Sequence, residues 1–266
     1  MGLFNGQTAW VTGAGRGIGR AAALALADQG AAVAVVSRTQ SEIDRVAAEI
    51  IARGGRSIAT ILDVSNWAMV DWAARQIDHA LGPIDILINN AGVLDPLGKL
   101  WETDPEEFGR LIDINLSGAY YCMRAVLPGM VQRGRGVIVN VSSIAATLVS
   151  PGWSAYAASK AGLDHLTRCL AVDLKGTPIR AYTLHPGLTE TKMQEVLRSA
   201  TDDQLPPARR QFFIDQQQAG NVFSVDVPAR AIAWLASTHC DLENGATIDL
   251  RTQPEYIAKI DRALQA

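Results

Sequence analysis

The amino-acid sequence predicts an α/β fold: a mostly parallel, seven-stranded sheet in a doubly wound arrangement, with helices on both faces. Short runs rich in β-branched residues alternate along the chain with longer alanine-rich segments of helical period. Several of the short runs are apolar almost throughout, as in parallel strands that are buried on both faces. No low-complexity linker and no repeat of solenoid period interrupts this alternation, so residues 1–266 are expected to form one domain.

The same alternation gives the position of each element. The strands are predicted at residues 8–11, 32–36, 57–62, 84–88, 136–141, 179–184 and 246–249. The helices between the first six strands are predicted at residues 18–29, 40–53, 67–80, 105–132 and 156–174. This order implies right-handed crossovers between parallel strands.

Two segments depart from the alternation. Residues 189–223 are polar and contain Pro206-Pro207, and long stretches of this kind are often lids over a site. A surface helical excursion without a substrate role is the alternative. Residues 250–266 form a C-terminal tail with a helix-like stretch at 255–264.

Composition and charge exclude several classes of protein. The net charge is −3 and there is no long basic run, so neither nucleic acid nor an anionic membrane is an expected partner. The three cysteines are far apart, which is typical of a protein of the reducing cytosol. No signal-peptide pattern and no run of 18 apolar residues is present, so we expect a cytoplasmic location. The four histidines lack ligand spacing, and no metal site is expected.

A glycine-rich loop follows the first strand and opens the first helix. A turn of this kind brings backbone N–H groups and the positive end of a helix dipole close to a pyrophosphate. The strict dinucleotide fingerprint is not met because position 18 is isoleucine, and a simple tight turn is the alternative. The candidate cofactor-binding residues are Gly13, Gly15, Arg16, Gly17, Ile18 and Gly19.

The end of the second strand indicates which nicotinamide cofactor is bound. An acid there would hydrogen-bond a ribose 2′-hydroxyl, whereas an arginine accommodates a 2′-phosphate. The sequence has Ser37 and Arg38, and no acid before Glu42. With Arg16 as a second cation, this favours NADP(H), and NAD(H) remains possible. Two solvated surface arginines are the alternative.

Two more strand ends carry candidate cofactor contacts. Asp63, followed by Val64, could accept a bond from the adenine amino group. The alternative is an N-cap for the next helix, although Ser65 is better placed for that. The fourth strand ends in Asn90, Ala91 and Gly92, which suit the ligand crevice of such a sheet or an ordinary turn.

The candidate catalytic residues follow the fifth strand. Ser143 stands at its end, Tyr156 comes thirteen residues later, and Lys160 lies one helical turn after Tyr156. A phenol has an ordinary pKa near ~10, too high for a base at neutral pH. A nearby ammonium is expected to lower the pKa of Tyr156, so that it exchanges a proton with a carbonyl or an alcohol.

Taken together, these motifs resemble the short-chain dehydrogenase/reductase family in its single-domain form. The resemblance covers roughly residues 6–192 and implies a Rossmann-type fold. It adds the family's structural asparagine at Asn115. It also adds a turn after the sixth strand, with the candidate cofactor contacts Pro186, Gly187, Thr189 and Thr191.

The resemblance implies an oxidoreductase that transfers a hydride between NADP(H) and a carbonyl or secondary alcohol. Tyr156 would be the general acid/base, and Ser143 would hold the substrate oxygen. Lys160 would bind the nicotinamide ribose, and Asn115 would anchor a water. It also implies a homo-tetramer or homo-dimer formed through the two long helices. The alternatives are a non-catalytic dinucleotide sensor, an NAD(H)-preferring alcohol dehydrogenase, and a related lyase or epimerase.

Overall fold

The strands form one parallel sheet, as the sequence predicts. The computed structural model describes residues 2–265, and within that range seven strands pair in parallel. Each lies within one residue of its predicted bounds. They are β1 (Thr8–Thr12), β2 (Ala32–Ser37), β3 (Arg56–Ile61), β4 (Ile84–Asn89), β5 (Val137–Val141), β6 (Arg180–His185) and β7 (Thr247–Asp249). Their order across the sheet is β3-β2-β1-β4-β5-β6-β7.

Helices cover both faces of this sheet. In the described part of the chain they are α1 (Gly17–Asp28), α2 (Gln40–Ala52), α3 (Trp67–Leu81), α4 (Pro105–Ile112), α5 (Gly118–Arg133), α6 (Ser154–Asp173), α7 (Lys192–Ser199), α8 (Pro207–Gln218), α9 (Asp226–Ala236) and α10 (Glu255–Gln265). None of the helices within residues 2–265 has the length and apolar character needed to cross a membrane.

The period-two alternation of strand side chains divides the core into two layers. In β1, Val11 packs into one layer with α1, α2, α9 and α10, and the neighbouring Trp10 packs into the other with α3, α5 and α6. Both side chains are fully buried. Strands that are covered on both faces need apolar residues at nearly every position, which explains the continuous apolar runs of the sequence.

The structure differs from the predicted helices in three places. The single helix expected at 105–132 is interrupted by a π-helical segment, Asp113–Ser117, between α4 and α5. Helix α9 was missed altogether. The segment 189–223, for which a helical excursion was the alternative to a lid, contains α7 and α8. The helix expected in the tail is present as α10, and its Ile260 is buried in the layer that contains α9.

The order of the strands determines where a ligand can bind. β1 lies between β2 and β4, so the crossovers from the first strand and from the fourth run to opposite sides. In sheets of this kind a crevice opens outside the carboxyl ends of the strands at this switch point. The glycine loop follows β1 directly and therefore lies at the mouth of the crevice.

Candidate active site

The glycine loop is held against the end of β4 by side-chain hydrogen bonds. The Thr12 hydroxyl accepts bonds from the amides of Asn90 and Ala91, at 3.0 and 3.1 Å. The Asn90 amide donates to the carbonyls of Thr12 and Gly13, at 3.0 and 3.1 Å. Gly13 has a φ of +62°, in the left-handed region that favours glycine. The loop is thus fixed in a conformation that leaves its backbone accessible.

Gly19 marks the closest approach of α1 to this loop. A Cβ atom there would lie 2.3 Å from the Gly13 carbonyl oxygen and 2.4 Å from the Asn90 amide nitrogen. Neither neighbour can retreat without breaking the bonds that hold the loop. The contact therefore requires glycine for close packing, independently of any ligand.

Gly19→Ala is expected to destabilise the protein by about 1–3 kcal/mol and to weaken dinucleotide binding, because the loop must shift. Urea unfolding measures the first effect, and a fluorescence titration with NADPH measures the second. Gly109→Ala is the matched control: Gly109 lies in α4, and its Cβ would meet nothing within 4 Å. That variant should be neutral or more stable by about 0.5–1 kcal/mol. Equal behaviour of the two variants would contradict the packing argument.

A cavity of about 610 Å³ extends from the glycine loop to the candidate catalytic residues. It brings together most of the side chains that the sequence singled out. Of these, the cavity is lined by Gly13, Gly15, Arg16, Gly17, Ile18, Ser37, Arg38, Asp63, Val64, Asn90, Ala91, Gly92, Tyr156, Lys160, Pro186 and Thr191. Residues from several separate stretches of sequence therefore meet in one site.

Five predicted residues are not among the residues that line this cavity: Gly19, Asn115, Ser143, Gly187 and Thr189. The Thr189 hydroxyl donates to the Pro186 carbonyl at 3.2 Å and is thus already engaged. The Ser143 hydroxyl caps a short 3₁₀ turn and accepts from the Ala145 amide at 3.2 Å. Ser143 is also hydrogen-bonded to Tyr156, which does line the cavity.

Tyr156 and Lys160 lie on one face of α6 and are both buried. The Lys160 ammonium donates to the Val141 carbonyl at 2.9 Å and lies 5.8 Å from the centre of the Tyr156 ring. Burial lowers the pKa of Lys160 to about 8, and Asp164 acts in the opposite direction. At neutral pH the lysine therefore keeps most of its positive charge.

The expected lowering of the pKa of Tyr156 is wrong for this structure. Burial raises the pKa of Tyr156 to about 12, and hydrogen bonding to Ser143 lowers it only in part. Desolvation of the phenolate is the larger effect, and the Lys160 ammonium donates to the Val141 carbonyl. Tyr156 is consequently protonated at neutral pH, which suits a proton donor.

Asn115 lies within the π-helical segment and is buried. Its side-chain oxygen accepts from the Val93 amide at 2.8 Å, and its nitrogen donates to the Val93 carbonyl at 2.9 Å and to the Ser159 hydroxyl at 3.1 Å. The side chain thus joins the loop after β4 to α6. Local π-helical turns are frequent at functional sites, but the helical period of the sequence gave no sign of this one.

Asp63 and its neighbours correct one alternative from the sequence. The N-cap of α3 is Asn66, whose side chain accepts from the Met69 amide at 3.0 Å. Neither Asp63 nor Ser65 fills that role. Asp63 instead accepts from the Ser65 amide and hydroxyl, at 3.0 and 2.7 Å. Burial raises the pKa of Asp63, but the Ser65 bonds and the charges of Arg38 and Arg110 together outweigh burial and lower that pKa, so the carboxylate stays ionised in the cavity wall.

A buried polar group behind the site was missed by the sequence analysis. His185, at the end of β6, lies 2.8 Å from an Asp164 oxygen through its Nε2 and 3.9 Å from an Asp249 oxygen through its Nδ1. All three residues are buried. Asp164 lies one turn after Lys160 on α6, and its charge raises the pKa of Lys160. The group therefore acts on the lysine through Asp164. Its members come from α6, β6 and β7, and no local spacing connects them.

The far end of the cavity carries charges of both signs. Ser37, Arg38 and Arg16 line it. Glu42 also lines it, and its carboxylate lies 3.7 Å from the Arg16 guanidinium. Glu42 lies in the first turn of α2, and this turn places its carboxylate against Gly15. The carboxylate therefore reaches the end of β2, although Glu42 comes five residues after Ser37 in the sequence.

Comparison with known proteins decides the family. A family model described as short chain dehydrogenase matches residues 7–202. The chain belongs to the short-chain dehydrogenase/reductase family. As in other members, the fold is of Rossmann type, and the protein is a nicotinamide-dependent oxidoreductase that acts on CH–OH groups of small molecules.

Several members resemble this chain over nearly its whole length. It is 35% identical to a 2-dehydro-3-deoxy-L-rhamnonate dehydrogenase (NAD(+)) from Sphingomonas sp. strain SKA58, covering 93% of this chain and 95% of that protein. A gluconate 5-dehydrogenase from Burkholderia cenocepacia J2315, solved with NADP and tartrate, has a TM-score of 0.84 and 30% identity, covering 95% of this chain and 96% of that one. An NAD+-bound xylitol dehydrogenase has a TM-score of 0.86 and 26% identity, covering 93% and 98%.

Proposed function

We propose that this protein reduces a carbonyl compound with NADPH, with Tyr156 as the proton donor. The observation that carries the proposal is the common cavity, in which Tyr156 and Lys160 lie at one end and the glycine loop and Arg38 at the other. A dinucleotide is an extended molecule, so its site must join a region for the adenosine to a region for the reacting ring. The direction of reduction agrees with a tyrosine that is protonated at neutral pH.

The residues present fit a dinucleotide. The backbone cradle at Gly13 has room only because a Cβ is absent, since one there would lie 2.9 Å from the Ala91 Cα. The loop amides and the amino end of α1 would hold the pyrophosphate. Asp63 would accept from the adenine amino group, and Lys160 would bind the nicotinamide ribose. When bound, the cofactor supplies the hydride.

The protein's own residues would manage the proton. Tyr156 would donate its hydroxyl proton to the carbonyl oxygen of the substrate, and Ser143 would hold that oxygen in line. The Lys160 ammonium would stabilise the phenolate that results. Asn115, whose side chain is bonded to Val93 and Ser159, would act as a positioning residue that holds the cavity wall against α6. The helices α7 and α8, in the segment 189–223, would form the substrate lid.

The direct test is the oxidation of NADPH, followed by its absorbance, with a panel of ketones and aldehydes. We expect turnover of at least one compound class by the purified protein. A protein that binds NADPH and reduces none of them would support the non-catalytic sensor.

The preference for NADPH rests on Arg38 and predicts a selective loss. Arg38→Ala should raise the KM for NADPH by about 10- to 100-fold, because a charge-assisted bond to the 2′-phosphate is lost, and should leave the KM for NADH nearly unchanged. Arg45→Ala is the control, since Arg45 is exposed on α2 outside the cavity lining. An equal loss for both cofactors would contradict the 2′-phosphate role.

A second candidate, an NAD(H)-preferring alcohol dehydrogenase, is favoured by Glu42. Its carboxylate faces Gly15 and Arg16 and would repel a 2′-phosphate or accept from a 2′-hydroxyl. The Sphingomonas relative is named for NAD(+). The wild-type ratio of kcat/KM for NADPH and NADH separates the two candidates.

A further inference from the structure

An arginine of the lid lies against the aromatic wall beside Tyr156. The Arg209 guanidinium, on α8, is 5.1 Å from the Trp153 ring centre, 4.8 Å from that of Phe212 and 5.1 Å from that of Phe213. Trp153 in turn contacts Tyr156 edge-on, with ring centres 6.2 Å apart. One indole ring therefore separates the guanidinium from the proposed proton donor.

A second arginine approaches the same cluster from the end of β7. The Arg251 guanidinium lies 5.6 Å from the centre of the Phe212 ring, on which Arg209 also packs. Its Cβ is 3.6 Å from the position that a Cβ at Gly187 would occupy, so Arg251 borders the Pro186-Gly187 turn. Two cations thus flank one aromatic side chain next to the candidate active site.

Neither cation is neutralised within residues 2–265. The other arginines of the lid have carboxylate partners there, since Arg198 pairs with Glu190 and Arg210 with Asp202. Arg209 and Arg251 form no salt bridge in that part of the chain. Burial lowers the pKa of Arg209, and the nearby Arg251 lowers it further. Arg209 is partly buried and Arg251 is exposed. A partly buried cation beside a second cation is unfavourable, and an anion between them would relieve the repulsion.

Two buried donors of this cluster also lack acceptors. The Arg209 Nε and the Trp153 Nε1 are both buried and have no hydrogen-bond partner in the described chain. A buried donor without a partner costs free energy comparable to a lost hydrogen bond. Both groups can only donate, so the missing partner is an acceptor, and the local charge makes an anionic acceptor the better match.

We propose that Arg209, supported by Arg251 and Trp153, binds a carboxylate of the substrate, so that the substrate is an oxo or hydroxy acid. This inference rests on the proposed function. Arg209 is not among the residues that line the cofactor cavity. The carboxylate that it binds would therefore be at the end of the substrate that is farther from the reacting carbon. The carboxylate would hold α8 in its packed position on Trp153, where Phe213 already stacks on the indole at 5.8 Å.

The test compares oxo acids of about four to eight carbons with their methyl esters, which differ from them in charge. The wild type should favour the acid by about 10- to 100-fold in kcat/KM. Arg209→Gln should remove that preference, mainly by raising the KM for the acid, and should lower kcat/KM for the ester by a much smaller factor than for the acid. Arg209→Lys should restore part of it. Arg210→Gln, the neighbouring arginine with its own carboxylate partner, is the matched control and should keep the preference.

Binding measured without turnover separates this inference from the proposed function. Calorimetry on Tyr156→Phe with NADPH present should show that the oxo acid binds and that Arg209→Gln in the same background weakens it at least tenfold. Acid binding with no turnover in the wild type would overturn the proposed function and keep the subsite. Equal kcat/KM for acid and ester in the wild type, or equal losses for both in Arg209→Gln, would overturn the subsite and leave Arg209 a packing residue.

Discussion

Tyr156→Phe is expected to lower kcat for carbonyl reduction by about 10²- to 10⁴-fold, because the substrate oxygen loses its proton donor. The ring itself is kept, and with it the edge-on contact with Trp153 at 6.2 Å. NADPH should therefore bind the variant about as well as the wild type. Stopped-flow measurement of the hydride-transfer step and a fluorescence titration with NADPH measure the two quantities.

Tyr120→Phe is the control for this variant. Tyr120 is an exposed tyrosine on α5, outside the lining of the cavity, and its loss should leave kcat within twofold or so of the wild type. A Tyr156→Phe enzyme that kept more than about a tenth of the wild-type kcat would show that another group donates the proton. Loss of NADPH binding in the same variant would instead indicate a structural role.

The second large effect concerns the charge of Lys160. Its pKa is lowered to about 8 by burial, so the side chain is charged below that pH and neutral above it. Tyr156 stays protonated through this range, because its pKa is raised to about 12. If the ammonium stabilises the developing phenolate, kcat for reduction should fall as the pH rises through about 8. Lys160→Met should lose about 10²-fold or more at neutral pH and should lose this fall with pH as well.

Asp164→Asn tests the origin of that pKa. Asp164 raises the pKa of Lys160 against the effect of burial, so its neutralisation should move the fall in kcat to lower pH. The pH profile of kcat, measured from about pH 6 to about pH 10, gives both results. An unchanged profile in Asp164→Asn would show that the carboxylate is only structural, and a profile that is flat in the wild type would contradict the role of the lysine.

The strands were predictable because their signal is local. In β2 and β4 every residue or nearly every one is buried, and an apolar run of that length between helical segments is typical of a parallel strand covered on both faces. The glycine loop and the pair Tyr156 and Lys160 were predictable for the same reason, since each depends on spacing within one turn or one loop. Helix α9 is also rich in buried apolar residues. It was not predicted, because Pro228 lies near its start and an irregular segment precedes it, and both obscure the helical period.

Other features depend on partners that are distant in sequence. His185, Asp164 and Asp249 come from three elements, and only the packing of α6 against β6 and β7 joins them. Arg209 and Arg251 are also distant in sequence, and only the folded chain places both guanidinium groups on the Phe212 ring. Neither has a carboxylate partner in the described part of the chain. The pKa of Tyr156 belongs to this group, because its rise comes from burial by the surrounding wall.

The sequence by itself determined the fold, the family and half of the residues that line the cavity, because all of these follow from local period, local spacing and backbone freedom at glycine. The tertiary structure decided the pKa values of Tyr156 and Lys160, the approach of Glu42 to Arg16 and Gly15, and the lack of carboxylate partners for Arg209 and Arg251 among the described residues. Those properties are sums of desolvation and charge over neighbours that only folding brings together.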